Sequence, residues 1–287
     1  MTPRQRDAVA PLVSVIAICF NHERFVVPCL DSIAAQTYPN LQVIVLDDHS
    51  SDGSLAAINA WVEGRGAGVT LITHDVNRGI CASRNEALAL ARGDYLAFIS
   101  TDDQWLPEKI AVQVSQLERE PGSGAVAYGD ALLMDEAGRP VPGRFIARNR
   151  AFERLPEGRV FEDLLLGNFI PSLATLVRRR CIEAVGGFDE SLIYEDWDMW
   201  LRLSRRYRFA VTPAVVARYR IVAGSLIDAL HGARRAEFFD SSLRLIAKQV
   251  GVSEEGDRRI RFRMHELSHA LGMLDDPGYL AFVARLA

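Results

Sequence analysis

Apolar runs and helical periodicities alternate along the first hundred residues of the chain. Continuous, β-branched apolar runs occupy 12–20 and 41–48, and shorter runs follow at 69–75 and 95–100. Such runs are typical of strands that are buried on both faces of a sheet. Between the first two runs, the apolar side chains of 25–34 recur at the spacing of one helix face. The alternation predicts βαβ units and therefore an α/β fold with a mostly parallel sheet flanked by helices.

The second half of the chain mixes strand and helix patterns. An amphipathic helix is predicted over 194–207 and a strand over 209–221, and the pattern beyond them is mostly helical. The composition changes near Gly224. We therefore expect one core domain over residues 1–224 and a C-terminal helical extension over residues 225–287.

Net charge excludes one class of partner. The chain has 287 residues and a formal net charge of −4, so no overall positive field attracts nucleic acid, and we expect no nucleic-acid partner. Short basic runs occur at 178–180, 205–208 and 258–263. They are interpreted as solvated helix faces, with a partner or membrane patch as the alternative.

Cysteine usage and the N-terminus bear on the cellular compartment. The four cysteines form no CxxC pair, which favours buried free thiols in a reducing compartment. The first residues are polar and lack the hydrophobic segment of a signal peptide, and no apolar run is long enough to cross a bilayer. We expect a cytoplasmic protein, with peripheral attachment at the inner face of the membrane left open.

Acidic pairs follow two of the predicted strands. Asp47 and Asp48 come at the end of the second strand, and Asp102 and Asp103 follow the fourth. In open α/β sheets the carboxyl ends of the strands line the ligand crevice. Each pair also has a purely structural interpretation, because aspartate caps helices and forms tight turns.

A third acidic pair, Glu195 and Asp196, begins a predicted helix in the second half, where it could simply complement the helix dipole. Taken together, the three pairs suit a role in metal binding and proton transfer.

Carboxylates at strand ends hold Mn²⁺ or Mg²⁺, which in turn clamps a diphosphate. A carboxylate that binds no metal can deprotonate an attacking hydroxyl. Arg84, just before a predicted helix, could donate to phosphate or to a carboxylate.

Three segments together resemble glycosyltransferase family 2, a family of inverting enzymes with the GT-A fold. They are VSVIAICFNHERFVVPCLDSIAAQTYPNLQVIVLDDHSSDGS, NRGICASRNEALALARGDYLAFISTDDQWLPEKI and GGFDESLIYEDWDMWLRL. Each motif is weak alone, and their combination and order are specific. The resemblance covers roughly residues 12–225 and implies a Rossmann-like nucleotide-binding half over about 12–103 and an acceptor half over about 104–224.

The resemblance also implies roles for single residues on the donor side. Asp48 matches the aspartate that accepts from the nucleotide base, with Asp47 as its neighbour, and Arg84 matches an arginine near the donor. Asp102 matches the metal-binding aspartate, and Asp103 is assigned to the same metal. Asp48, Arg84, Asp102 and Thr101, the middle residue of the metal motif, are therefore predicted to bind the nucleotide sugar, with Mn²⁺ or Mg²⁺ as cofactor.

On the acceptor side, Asp196 matches the catalytic base, and Glu195 is expected to support the helix start or contact the sugar. The implied reaction transfers a sugar from a nucleoside-diphosphate donor, UDP- or dTDP-linked, to a hydroxyl of a glycan, a lipid-linked sugar or a small molecule. Trp197 and Trp200 are expected in the core, with a sugar platform as the alternative. The C-terminal helices are expected to pack on the core, to pair with another copy or to bind a membrane-associated acceptor.

The chain departs from the family pattern at several positions. Ser100 stands where relatives carry the first aspartate of the metal motif, and Ile221 and Val222 stand where many carry a histidine; His231 lies too far along to replace it. A hydroxyl adds no negative charge. A nucleotide-sugar-binding protein without turnover is therefore the alternative function. A nucleotidyltransferase is disfavoured, since the NHER after the first strand has no glycine.

HELSH at 265–269 satisfies the HExxH pattern of zinc proteases. Little chain is left beyond it for a third ligand. A role of this helix in packing or at the surface is therefore favoured over a zinc site.

Overall fold

The computed structural model of the protein describes residues 10–64, 68–120, 122, 124–225, 232 and 234–286. The strands are β1 (Val13–Cys19), β2 (Leu41–Asp47), β3 (Val69–Thr73), β4 (Tyr95–Ser100), β5 (Gln104–Trp105), β6 (Gly124–Met134), β7 (Pro140–Arg144), β8 (Thr175–Arg178) and β9 (Arg208–Arg220). The helices are α1 (Val26–Ala34), α2 (Ser54–Glu63), α3 (Ile80–Leu90), α4 (Lys109–Glu118), α5 (Phe145–Asn149), α6 (Phe161–Leu165), α7 (Arg179–Ala184), α8 (Asp196–Ser204), α9 (Arg235–Ala247), α10 (Glu254–Leu271) and α11 (Pro277–Leu286), and a 3₁₀ turn spans Ser172–Ala174.

One sheet runs through these elements in the order β3-β2-β1-β4-β8-β6-β9-β5, with β7 paired to β6. The first four strands are parallel to one another. The second half departs from the predicted parallel pattern, because β8 is antiparallel to both β4 and β6, and β5 is antiparallel to β9. β6 and β9 are parallel. The sheet is therefore mixed, with its parallel half formed by the first hundred residues.

Both faces of β1 are buried, which explains its unbroken apolar run. Val15 and Ala17 belong to one hydrophobic cluster, and Ile16 and Ile18 belong to the cluster on the other face. In the register, Cys19 lies opposite Asp47 and Ile18 lies opposite Ser100. β1, β2 and β4 consequently end at the same edge, and the segments that follow them meet there.

The C-terminal helices pack against the core. Ile260 and Met264 of α10 and Phe282 of α11 are buried in the same hydrophobic cluster as Leu164 of α6 and Trp197 of α8. The division of the chain near residue 224 stays a prediction, and His231 lies outside the described residues.

Two expectations on composition can be compared with the structure. The four cysteines are buried and unpaired. Across the described ranges, none of the helices is long and apolar enough to cross a membrane.

Candidate active site

The loops after β1 and β2 are fastened to each other. The side chain of Asn21 accepts from the Ser51 amide (2.8 Å), and the Asn21 amide donates to Ser50 Oγ (2.9 Å). Asn21 and His49 have positive φ angles of 57° and 63°, a conformation that costs a non-glycine residue energy and persists only when its surroundings impose it. Asp47 accepts from both the amide and the hydroxyl of Ser50. The two loops form a rigid wall at the carboxyl edge of the sheet.

Asp48 is buried beneath this edge, with 3% of its surface exposed. Its Oδ1 accepts from the amide of Arg78 (2.8 Å) and shares a hydrogen bond with His74 Nδ1 (2.7 Å), and its Oδ2 accepts from the amide of Gly79 (2.9 Å). Asp48 therefore anchors the turn before α3 and does not cap α2. A carboxylate offers about four acceptor sites, so Oδ2 retains one for a further donor. The predicted contact with a nucleotide base stays a prediction.

His22, which follows β1, links the metal motif to the first loop. Its Nδ1 shares a 2.9 Å hydrogen bond with Thr101 Oγ1, and its Nε2 lies 3.9 Å from Asp102 Oδ2. Thr101 is fully buried, so its hydroxyl orients His22, and its predicted contact with the donor is untested. The side chain of Asp102 is 17% exposed.

Asp103 is turned towards the last strand of the sheet. Its Oδ1 accepts from the amide of Arg220 at the end of β9 (2.8 Å). Burial, and then the charge of Asp102, raise the pKa of Asp103 well above its usual range. The Arg220 guanidinium donates to the Asp102 carbonyl (2.7 Å) and lies 4.6 Å from the ring centre of Phe25. Arg220 thus fixes the backbone of the aspartate pair from the opposite half of the chain.

The two aspartates suit a cation unequally. Asp102 Oδ1 is buried and has no hydrogen-bond partner, which is the state expected of an unused metal ligand. Asp103 already accepts a backbone hydrogen bond, and its raised pKa disfavours the charged form that a metal ligand requires. Within the described part of the chain, no group of three or more histidine, cysteine, aspartate or glutamate side chains could hold a metal ion. Asp102 fits Mn²⁺ or Mg²⁺ that takes its remaining ligands from phosphate and water, and Asp103 fits less well.

Asp196 is the first residue of α8 and is partly buried. Its Oδ2 accepts from Asn168 Nδ2 (2.9 Å), and its Oδ1 accepts from the amide of Trp197 (2.7 Å). Burial, followed by the negative charge of Glu195, raises the pKa of Asp196 from 3.8 to about 7, against the opposing effect of Arg84. A carboxylate with a pKa near 7 is suited to accept a proton at neutral pH.

Arg84 lies deeper than the resemblance implied. It is 3% exposed, and its guanidinium forms a 2.9 Å ion pair with Glu195 and donates to Ser172 Oγ (3.0 Å). The guanidinium also lies over the rings of Phe98 and Phe188, 4.9 and 5.5 Å from their centres. Arg84 therefore positions the residue that precedes the candidate base. Its predicted contact with the donor is untested.

Tyr219 of β9 connects the aspartate pair with Asp196. After burial, the negative charges of Asp103 and Asp102 raise the pKa of Tyr219, and Asp196 contributes in the same direction. The ring packs edge-on against Phe145, with 4.9 Å between the ring centres. The charges of all three carboxylates therefore act on one phenol of β9.

Several structural contacts were not found from sequence. His22 stands in NHER, directly after a buried strand. That position is the one feature of the sequence that could have indicated a place for His22 at the carboxyl edge of the sheet. Arg220 and Asn168 carry no motif, because they act through contacts across 117 and 28 residues. Trp197 and Trp200 are buried, at 3% and 1% exposure, so core packing is confirmed for both.

The HELSH helix forms no metal site in the described ranges. His265 bonds Tyr279 Oη (3.1 Å) instead, which links α10 to α11.

The comparison with protein families decides the relationship. The sequence model described as "Glycosyl transferase family 2" matches residues 14–180, which is more than half of the chain. The chain belongs to glycosyl transferase family 2. It is a glycosyltransferase, and the transfer in this family depends on a nucleotide sugar.

Curated relatives support the assignment. The chain is 34% identical over 219 residues to "UDP-Glc:alpha-D-GlcNAc-diphosphoundecaprenol beta-1,3-glucosyltransferase WfaP" of Escherichia coli, a match that covers 75% of this chain and 79% of that protein. Other relatives are longer. The match to an uncharacterized glycosyltransferase of Rickettsia felis, at 29% identity, covers 68% of this chain and only 32% of that protein.

Solved structures share the fold. S. aureus TarS 1–349 in complex with UDP-GlcNAc superimposes with a TM-score of 0.70 at 17% identity, covering 96% of this chain and 80% of that one. The mannosyltransferase PcManGT from Pyrobaculum calidifontis, in complex with GDP-Man and Mn²⁺, gives 0.63 at 19% identity, covering 97% and 75%. The predicted GT-A fold is confirmed by these likenesses.

Proposed function

We propose that this protein is an inverting, divalent-metal-dependent glycosyltransferase in which Asp196 is the general base. It takes the sugar of a UDP- or dTDP-linked donor and passes it to a hydroxyl of a sugar acceptor in glycan synthesis. The observation that carries the proposal is the state of Asp196. Its carboxylate is held by Asn168 and the Trp197 amide at the start of α8, with a pKa of about 7.

On the donor side, the free acceptor site on Asp48 Oδ2 suits an N–H of the nucleotide base. Asp102, with its orphaned Oδ1, would hold Mn²⁺ or Mg²⁺. When bound, the ion neutralises negative charge that develops on the departing diphosphate. The complex of PcManGT with GDP-Man and Mn²⁺ supports a metal in this fold.

On the acceptor side, Asp196 removes the proton of the acceptor hydroxyl as the oxygen attacks the anomeric carbon opposite the diphosphate. The bond to the diphosphate breaks on the other face, so one displacement inverts the anomeric centre. The match to WfaP covers 79% of that protein, whose printed name gives UDP-Glc as donor and a diphosphoundecaprenol-linked sugar as acceptor. This likeness supports a donor of the UDP class and a lipid-linked acceptor.

The test is Asp196→Asn, because asparagine keeps the shape and loses the basicity. UDP binding with Mn²⁺, measured by calorimetry, should stay within about twofold of wild type, while sugar transfer falls by roughly a hundredfold or more. Asp240→Asn, at an exposed carboxylate of α9, is the control and should keep full activity. Unchanged transfer in Asp196→Asn would refute the role. Wild-type binding without hydrolysis or transfer would favour a nucleotide-sugar-binding protein.

A further inference from the structure

Arg263 of α10 has a buried donor that no acceptor satisfies. It is partly buried, and its Nε is shielded from solvent with no hydrogen-bond partner. Burial, and to a lesser extent the like charge of Arg150, lower the pKa of Arg263, while the carboxylate of Glu266 and Tyr194 act in the opposite direction. A buried donor with no acceptor costs free energy that a bound anion would recover.

The guanidinium lies near the two segments that carry the candidate base and its hydrogen-bond partner. A β-carbon added to Gly167 would lie 3.5 Å from both Nε and Nη2 of Arg263, and the Trp197 ring centre is 6.0 Å from the guanidinium carbon. Gly167 directly precedes Asn168, and Trp197 directly follows Asp196. Arg263 therefore lies near Gly167 and Trp197, the sequence neighbours of the two residues whose hydrogen bond holds the base.

A second guanidinium, that of Arg150, is held against α6, the helix that precedes Gly167. Arg150 donates to the Asp163 carbonyl (2.7 Å) and lies 4.7 Å from the Phe152 ring centre. Among the residues that the structure describes, neither Arg150 nor Arg263 forms an ion pair within 4 Å, and Glu266, whose carboxylate acts on Arg263, is exposed. An anion bound between two guanidiniums relieves the repulsion between them.

Packing alone does not account for Arg263. A separation of 6.0 Å from Trp197 is at the outer limit for a cation–π contact, and such a contact leaves the Nε–H without an acceptor. Two other arginines of this side form ion pairs: Arg84 bonds Glu195 (2.9 Å), although its own Nε has no partner, and Arg202 bonds Asp198 (2.7 Å). The fold thus pairs two of these arginines directly with carboxylates, whereas the carboxylate that acts on Arg263 is that of the exposed Glu266.

We propose that Arg263 and Arg150 form an anion subsite beside Asp196 that binds a phosphate group carried by the acceptor. A planar guanidinium can donate two parallel hydrogen bonds to two oxygens of one phosphate. Such a contact selects for the negative charge of the ligand and also sets its orientation. The subsite rests on the proposed function in that it places the acceptor on the Asp196 side. It gives the C-terminal extension a direct part in acceptor recognition, since α10 supplies Arg263.

A binding experiment tests the subsite without turnover. Inorganic phosphate is titrated calorimetrically into protein saturated with UDP and Mg²⁺, so that the donor side is filled. Arg263→Gln and Arg150→Gln should each weaken phosphate binding by about tenfold or more. Arg263→Lys, which keeps the charge, should lose less. Arg261→Gln, at an exposed position of the same helix, is the matched control and should bind like wild type. Equal phosphate affinity in Arg263→Gln and wild type would overturn the proposal.

A kinetic experiment identifies the source of the phosphate. The same acceptor sugar is offered as a neutral alkyl glycoside and as an alkyl phosphodiester. Arg263→Gln should raise KM for the phosphodiester by about tenfold and leave KM for the neutral glycoside and both kcat values nearly unchanged. An equal rise for both acceptors would show a structural effect and refute the subsite. If the wild type transfers to neither acceptor, the proposed function fails, and the phosphate titration still decides the subsite.

Discussion

The substitution Asp196→Asn should stabilise the folded protein at neutral pH, and the gain should depend on pH. Folding places the carboxyl in a buried position beside Glu195 and raises its pKa from 3.8 to about 7. In the unfolded chain the carboxyl has its ordinary pKa. Between about pH 4 and 7 the folded state therefore keeps a proton that the unfolded state has lost, and the free energy of unfolding falls as the pH rises.

The size of the effect follows from the two pKa values. Each pH unit between them corresponds to about 1.4 kcal/mol, so the wild type loses at most roughly 4 kcal/mol over this interval. Asparagine cannot ionise and avoids the loss. It keeps an oxygen that can accept from Asn168 or from the Trp197 amide, and giving up the other bond costs about 1 kcal/mol. The expected net gain is roughly 3 kcal/mol at pH 8 and near zero or slightly negative near pH 4.

Urea denaturation at pH 5, 6, 7 and 8 measures this difference directly. The free energy of unfolding of Asp196→Asn should exceed that of wild type by an amount that grows with pH and levels off above pH 7. Asp240→Asn, whose side chain is 59% exposed, should show no such growth. A pH-independent difference at Asp196, or a more stable wild type at pH 8, would contradict the reasoning. A stability gain on loss of a catalytic group is the usual trade-off at active sites.

Two further predictions concern the charges around the site. Transfer by the wild type should rise with pH up to about 7, since the proposed base must be ionised. The substitution Glu195→Gln removes a negative charge beside Asp196 and should move the midpoint of the kcat/KM profile to lower pH. An unmoved midpoint would contradict this coupling. Asp102→Asn should raise the Mn²⁺ concentration needed for half-maximal UDP binding by about tenfold or more. Asp103→Asn should raise it far less, because the amide oxygen of the new side chain can still accept from the Arg220 amide. Equal increases for the two variants in a titration of Mn²⁺ would refute the unequal roles.

The positions of the donor-side residues follow largely from local pattern. The apolar runs predicted β1, β2 and β4, and their parallel pairing places the segments after them at one edge. Asp48 and Asp102 could be placed at that edge on this basis alone. The apolar pattern does not predict which hydrogen bonds each carboxylate accepts. Asp48 anchors a turn through two amides, and the unpartnered oxygen belongs to Asp102.

The acceptor side depends on contacts that no local pattern encodes. Asn168 meets Asp196 only because α6 packs against α8, where Trp197 Nε1 donates to the Leu164 carbonyl (2.7 Å). The burial that raises the pKa of Asp196 arises from this packing.

Sequence by itself determined the family, the parallel half of the sheet and the identity of the three acidic pairs. These depend on the order of residues along the chain and on the period of their side chains. Tertiary structure alone decided that Arg84 pairs with Glu195 and that Arg263 of the C-terminal helices lies near Trp197 of α8. The protonation state of a carboxylate and the partner of an arginine depend on distance and burial, and folding sets both across long separations in sequence.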